Sequence, residues 1–161
     1  MYALRLGEVL VHRKIEVLRG IEGARVKEAY RKLAEEFGIE WRGRNYDRAN
    51  PAAADPPNQA INHASSAVVA AAGIAVAATA TIPQLGFIHE DSSQAWVLDL
   101  ADLFREQATL RIAFGAVQEM AGSKRTLEQL VRRRANAMFT GSDLIPSMIE
   151  RVKTLLGEGA L

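Results

Sequence analysis

Two aspartates, Asp99 and Asp102, lie within residues 86–105, a stretch that is otherwise rich in apolar residues. The spacing of the apolar residues predicts a helix over 95–119. Both aspartates fall on the apolar face of this helix, at positions i and i+3. The apolar residues of that face are Trp96, Leu103, Leu110, Ala113 and Val117. A carboxylate on a core-facing stripe is costly unless a cation neutralises it. Together with the nearby His89, the stretch indicates either a cation site or an aspartate that caps a helix or pairs with an arginine.

A third acid is predicted to face inward from a helix over 14–37. Glu22 follows Leu18 by four residues, so it lies on the apolar stripe of that helix. The flanking Gly20 and Gly23 each cost about 1 kcal/mol relative to alanine in a helix interior. This cost predicts that a ligand or another backbone comes close. Carboxylates with one imidazole favour Mg²⁺ or Mn²⁺ over a closed zinc site.

Three segments carry a family resemblance. They read RGIEGARVKEAY at 19–30, DPPNQAIN at 55–62 and GFIHEDSSQAWVLDLADLFR at 86–105. Together they resemble the CRISPR-associated integrase of spacer acquisition, the first-numbered Cas protein, and most closely its type I-E branch. The resemblance implies an irregular, multi-helix catalytic domain without the β-sandwich that forms the family's N-terminal part. Residues 1–161 are therefore expected to form one metal-binding catalytic domain, a fragment of the full-length protein.

The resemblance also implies a catalytic site. In that family the residues matching Glu22, His89 and Asp102 bind the catalytic Mg²⁺ or Mn²⁺, and Asp99 matches an additional acidic position of the catalytic set. The three ligands are expected to converge on one ion at roughly 2.0–2.3 Å. Without a cation the acids would repel one another. Replacing Asp102 by alanine is therefore expected to leave the metal-free protein as stable as before, or more stable.

The candidates for DNA contact are Arg19, Arg25, Arg44, Tyr46 and Arg105. Two of them, Arg44 and Tyr46, belong to a loop in which arginines alternate with aromatic residues, a common nucleic-acid surface. Composition alone favours an exposed loop that packs one aromatic side chain. The resemblance favours DNA contact, because the family's matching loop approaches DNA near the active site.

Charge is unevenly distributed, although the formal net charge is only +1. Residues 49–104 contain no Lys or Arg and five acids, whereas 1–48 hold 11 Lys/Arg and 105–161 hold nine. An acidic segment between two basic flanks suits a metal site beside a phosphate track. Solvated helices alone would also explain the basic flanks.

The absence of cysteine excludes disulfides and thiolate metal sites. With no signal-peptide pattern at the N-terminus, the chain is predicted to be cytoplasmic. The apolar run at 67–82 has 16 residues, too few for a membrane span, and predicts a buried core helix and no membrane contact.

The remaining patterns predict an all-α fold. Asp55, followed by two prolines, predicts a helix start, and that helix is expected to run to about residue 80. Ser92 and Ser93 are candidate N-caps of the aspartate helix. Asn58 is a candidate support for the metal site. Two further helices are predicted over 126–139 and 144–156, and no stretch has a strand pattern.

The function implied by the resemblance is that of a metal-dependent DNA integrase and endonuclease of CRISPR adaptation. Such an enzyme joins the 3′-hydroxyl of a captured DNA fragment to the CRISPR repeat by transesterification. The implied partners are double-stranded DNA, a second copy of the full-length protein and the second-numbered Cas protein. Two alternatives stay open: a metal-dependent nuclease acting on branched DNA, and a non-catalytic helical docking module.

Overall fold

The computed structural model describes residues 1–9, 11, 14–45, 50 and 53–157. Within these residues the chain is helical and contains no strand, so the predicted all-α class is confirmed. The helices are α1 Tyr2–Leu6, α2 Ile15–Glu36, α3 Pro56–Ala78, α4 Ala95–Leu103, the π-helix Arg105–Leu110, α5 Arg111–Met120, α6 Leu127–Gly141 and α7 Leu144–Leu156.

Helix α3 is the centre of the fold and packs against α4, α5, α6 and α7. Its alanines at positions 60, 64, 72 and 75 have no exposed surface, and their small side chains let the neighbouring helices approach closely. By length and composition alone α3 could cross a membrane. Its place at the centre of the bundle instead makes it the core helix that the apolar run predicts.

The ends of α3 follow from local hydrogen bonds. Asp55 caps its first turn by accepting from the backbone N–H of Asn58 at 3.1 Å, as predicted. The helix ends at Ala78, slightly before the predicted end, where the hydroxyl of Thr79 donates to the carbonyl of Ala75 at 2.9 Å. That side-chain bond competes with continuation of the helix.

The start of α4 differs from the prediction. Its N-cap is Gln94, with no side-chain cap, rather than Ser92 or Ser93. The reason is that a loop carbonyl replaces the cap, because the N–H of Trp96 donates to the carbonyl of Pro83 at 2.8 Å. The loop before α4 is therefore bonded directly to its first turn.

The prediction of a single helix over 95–119 is wrong. The chain forms α4, then the π-helix Arg105–Leu110, then α5. A wider turn shifts the positions that follow, since one additional residue rotates them by about 100°. After this turn Val117 is consequently only partly buried, while Phe114 becomes a core residue.

Helix α2 is covered only along its second half. Its buried residues are Ala29, Tyr30, Leu33 and Ala34. Ile15, the first residue of α2, is 42% exposed because the first half of α2 extends beyond the bundle. Glu22 lies where the exposed half meets the covered half, with 16% of its side chain exposed.

Candidate active site

Glu22 on α2 and Asp102 on α4 are brought together by one arginine on α1. Nη1 of Arg5 lies 2.5 Å from Oε1 of Glu22, and Nη2 of Arg5 donates to Oδ2 of Asp102. The Arg5 side chain is 6% exposed. Two of the three predicted metal ligands, Glu22 and Asp102, therefore meet on one buried guanidinium.

A second guanidinium contacts the pair of acids formed by Glu22 and Asp102. Arg105, the first residue of the π-helix, donates to Oδ1 of Asp102. Burial by itself lowers the pKa of Arg105, but the charges of Asp102, Tyr30 and Glu22 raise it by more, and the net shift is upward. Arg105 is therefore a permanent cation beside the carboxylates.

The four charges of this cluster, Arg5, Glu22, Asp102 and Arg105, sum to zero. The sequence-based expectation that the acids repel one another without a metal did not include these two guanidinium groups. Each guanidinium supplies the opposite charge that the carboxylates need in a partly buried place.

His89 is held by Asp99 rather than by the acidic pair. Nδ1 of the His89 ring lies 2.7 Å from Oδ1 of Asp99, whose side chain is fully buried. Oδ2 of Asp99 accepts from the backbone N–H groups of Phe87 at 2.5 Å and Ile88 at 2.9 Å. A carboxylate on Nδ1 leaves Nε2 as the ring nitrogen that can take a ligand. Asp99 thus holds both the His89 ring and the loop backbone before it, and its place in the catalytic set stays a prediction.

The predicted convergence of Glu22, His89 and Asp102 on one ion is not present in this arrangement. Among the described residues, no group of three or more His, Asp or Glu side chains is placed to hold a metal ion. Two contacts keep the three side chains from converging. Arg5 lies between the two carboxylates, and Asp99 holds the histidine ring. The donor types still fit a hard divalent ion, because two carboxylates already converge on one cation, the Arg5 guanidinium.

Asp102 and Arg105 stand between two cavities. The cavity on the α1 side has a volume of about 430 Å³, and its charged lining is Arg5, Glu22, Arg25, Asp102, Arg105 and Glu106. The larger one, about 810 Å³, is called the groove here. Its charged and aromatic lining is Lys27, Tyr30, Arg31, Trp41, Arg44, Asp102 and Arg105.

The groove has an aromatic wall and a cationic rim. Tyr30 and Trp41 stack with ring centroids 5.2 Å apart, and Trp41 meets the edge of Phe114 at 5.7 Å. Four cationic side chains face one carboxylate, that of Asp102. Such a surface suits a polymer that combines phosphates with flat bases.

The predicted DNA-contact residues fall in different places. Arg44 lines the groove and Arg105 lines both cavities, while Arg25 lines the smaller cavity and is bonded to Glu8. Arg19 is exposed on the first half of α2 and lines neither cavity. The remaining candidate, Tyr46, lies outside the described residues.

Asn58 fixes the loop that carries Arg44. Its Oδ1 accepts from Nη1 of Arg44 and from the N–H of Asn45, each at 2.9 Å. Its Nδ2 donates to the carbonyl of Gly43 at 3.0 Å and to Oδ1 of Asp55 at 2.7 Å. The fully buried Asn58 therefore supports the groove rather than the acidic pair.

Sequence reasoning missed Arg5, and its prediction for two glycines is tested only in part. The signal for Arg5 was an arginine between leucines in a short helix, which indicates a charge carried on an apolar face. Gly20 and Gly23 were predicted to admit a ligand or another backbone. A Cβ built at either position meets no described atom within 4 Å, so no described backbone comes close. Gly23 lines the groove, and a ligand beside it stays a prediction.

The sequence profile described as CRISPR associated protein Cas1 matches residues 3–138. The chain belongs to the Cas1 family. Two relatives described as CRISPR-associated endonuclease Cas1 come from Geobacter sulfurreducens, at 33% identity, and from Escherichia coli K12, at 31%. Each alignment covers 100% of this chain and 52% of the relative.

Solved Cas1 structures have the same fold over nearly the whole chain. The crystal structure of a TtCas1–DNA complex superimposes with a TM-score of 0.85 at 35% identity, covering 98% of this chain and 57% of that one. The crystal structure of TtCas1 gives a TM-score of 0.82 at 32% identity, covering 98% of this chain and 58% of that one. The chain spans about half the length of the curated Cas1 relatives it matches.

Proposed function

We propose that this chain is the helical catalytic part of a DNA integrase and endonuclease of CRISPR adaptation. The observation that carries the proposal is the meeting of Glu22 and Asp102 at one cavity, next to a groove lined by cations and stacked aromatic rings that Asp102 also lines. Membership of the Cas1 family and the fold shared with a TtCas1–DNA complex support it.

Glu22 and Asp102 would hold Mg²⁺ or Mn²⁺, with Nε2 of His89 as the third ligand. When bound, such an ion polarises a phosphate oxygen and lowers the pKa of an attacking hydroxyl. Asp99 prepares the histidine, since its carboxylate fixes the ring through Nδ1 and fixes the backbone on either side of Ile88.

The groove would hold the DNA strand. Arg44 and Arg105 offer guanidinium groups to phosphates, and guanidinium suits two-point contact with phosphate oxygens. The stacked pair Tyr30 and Trp41 gives an apolar wall against which a base or sugar can pack. Arg19 and Arg25, on the first half of α2, are proposed as outer phosphate contacts.

The proposed reaction is a transesterification. The 3′-oxygen of a captured DNA fragment attacks a phosphorus atom of the CRISPR repeat, and a new P–O bond forms as the existing P–O bond to the leaving 3′-oxygen breaks. The attacking hydroxyl loses its proton and the leaving oxygen gains one, so the number of phosphodiester bonds is unchanged. We propose that the reaction takes place in the cytoplasm. It uses double-stranded DNA, the homodimer of the full-length protein and the second-numbered Cas protein.

Two other functions use the same observations. With water as the attacking group, the site would be a metal-dependent nuclease on branched DNA. The balanced cluster of Arg5, Glu22, Asp102 and Arg105 favours a non-catalytic docking module, because it satisfies the acids without a metal.

A branched DNA with a labelled flap joined into a duplex separates these functions. The chain is incubated with it and Mn²⁺, with and without the second-numbered Cas protein, and the products are sized. A released flap with a resealed duplex supports strand transfer, while nicked strands alone support the nuclease. Asp102→Asn and Glu22→Gln should remove either product, and Arg111→Gln, at an exposed ion pair with Glu36, should not. No product under any condition would favour the docking module.

A further inference from the structure

Arg5 occupies the place between the two carboxylates that the proposed function assigns to a metal ion. Its two terminal nitrogens are divided between Oε1 of Glu22 and Oδ2 of Asp102. Arg105 takes the remaining oxygen of Asp102. A divalent ion bridging the same two oxygens at roughly 2.0–2.3 Å would occupy the space in which the Arg5 guanidinium now lies.

Charge balance also opposes the binding of a divalent ion while Arg5 stays between the carboxylates. The cluster of Arg5, Glu22, Asp102 and Arg105 is neutral, and a divalent ion added to it would leave two excess positive charges. These charges would lie in a place where both carboxylates are less than one-fifth exposed and Arg5 is 6% exposed. Unbalanced charge is costly at such depth because the protein replaces little of the lost hydration.

The helix that carries Arg5 is suited to movement. Helix α1 has five residues, Tyr2–Leu6, and rests on α2 and α4. A helix this short has little stability of its own and depends on its contacts. The hydroxyl of Tyr2 on the same helix is buried without a hydrogen-bond partner among the described residues. An unsatisfied buried hydroxyl further weakens the packing of α1 on the rest of the protein.

We propose that Arg5 is a displaceable internal counter-ion of the catalytic carboxylates. Glu22 and Asp102 hold its guanidinium when no metal is bound, and they exchange it for the divalent ion. Arg5 therefore keeps the two acids together in the metal-free protein and lowers their affinity for metal. This inference rests on the metal site of the proposed function.

Calorimetric titration with Mn²⁺ tests the competition. Arg5→Gln should bind Mn²⁺ about tenfold more tightly than the wild type, a usual size for coupling between two ligands of one site. It should also melt at a lower temperature without metal. The matched control is Arg132→Gln, which removes an exposed guanidinium bonded to Glu128 that lines neither cavity, and it should leave the Mn²⁺ affinity unchanged. Equal or weaker Mn²⁺ affinity in a folded Arg5→Gln protein would overturn the proposal.

Arginine side-chain NMR of the wild type gives a test that does not depend on a variant that folds. The guanidinium signals of Arg5 should show restricted rotation without metal and become averaged when Mg²⁺ saturates the site, whereas those of Arg132 should not change. Restricted Arg5 signals in the Mg²⁺-saturated protein would show that Arg5 is not displaced. If neither wild type nor Arg5→Gln binds a divalent ion, the metal site of the proposed function fails and this inference fails with it. Metal binding without displacement of Arg5 removes this inference alone.

Discussion

Nδ1 of His89 lies 2.7 Å from Oδ1 of Asp99, and the same carboxylate accepts the backbone N–H groups of the loop on which His89 stands. One buried side chain on α4 thus fixes both the ring and the backbone of a residue in the preceding loop. Trp96, also on α4, forms a second hydrogen bond to the segment before this helix, because its indole N–H donates to the hydroxyl of Thr81 at 3.0 Å. The position of His89 is therefore set by the start of α4 rather than by the loop itself.

Asp99→Ala should destabilise the protein by about 3 kcal/mol, since it leaves the N–H groups of Phe87, Ile88 and His89 without their charged acceptor. The measurement is urea unfolding followed by circular dichroism. Asp91→Ala, at an exposed acid of the same loop, is the control and should change stability by less than about 0.5 kcal/mol. A mild effect of Asp99→Ala would mean that the loop amides find other partners.

Gly86→Ala should displace the loop that carries His89. A Cβ at this position would lie 2.3 Å from the carbonyl oxygen of His89 and 2.7 Å from Cβ of Ala95, so backbone has to move. Overpacking of this kind costs about 1–3 kcal/mol, and the His89 imidazole NMR signals should shift. Gly20→Ala is the matched control, because no described atom lies within 4 Å of its added Cβ. It should stabilise α2 by about 0.5–1 kcal/mol. Unshifted His89 signals in Gly86→Ala would contradict the expected displacement.

The sequence predicted the helical parts of the site better than the contacts between them. The spacing of apolar residues alone placed Glu22 and Asp102 on inward faces, and both carboxylates do meet at Arg5 of α1. Arg5 could not be predicted in its role, because its bond to Asp102 joins residues 97 positions apart. The π-helix Arg105–Leu110 was also missed, since its residues have no composition that distinguishes a wide turn from an α-helix.

Asn58 and Arg44 should act as one unit in DNA binding. Asn58→Ala removes the acceptor that orients Nη1 of Arg44, so its effect on DNA affinity should be contained within that of Arg44→Gln. The double variant should bind labelled duplex DNA no more weakly than Arg44→Gln alone, which is the signature of coupled residues. Each dissociation constant is measured at one salt concentration, because phosphate contacts are salt-dependent. Additive losses would mean that Asn58 contributes to DNA binding through other parts of the groove.

Asp102→Ala should destabilise the metal-free protein, contrary to the expectation from the acids alone. Two guanidiniums are bonded to Asp102, and Arg5 is buried, so removing this carboxylate leaves Arg5 with Glu22 and leaves Arg105 without its bonded acceptor. Loss of a partner from a partly buried ion pair should cost about 1–3 kcal/mol, less than for a fully buried pair because Asp102 keeps some contact with solvent. The measurement is urea unfolding in the presence of a chelator. Glu36→Gln removes the carboxylate of the exposed pair with Arg111 and should change stability by less than about 0.5 kcal/mol. If Asp102→Ala proved more stable than the wild type without metal, repulsion between Asp102 and Glu22 would outweigh the attraction of both arginines. The cluster would then be held together by the packing of α1, α2 and α4 rather than by its charges.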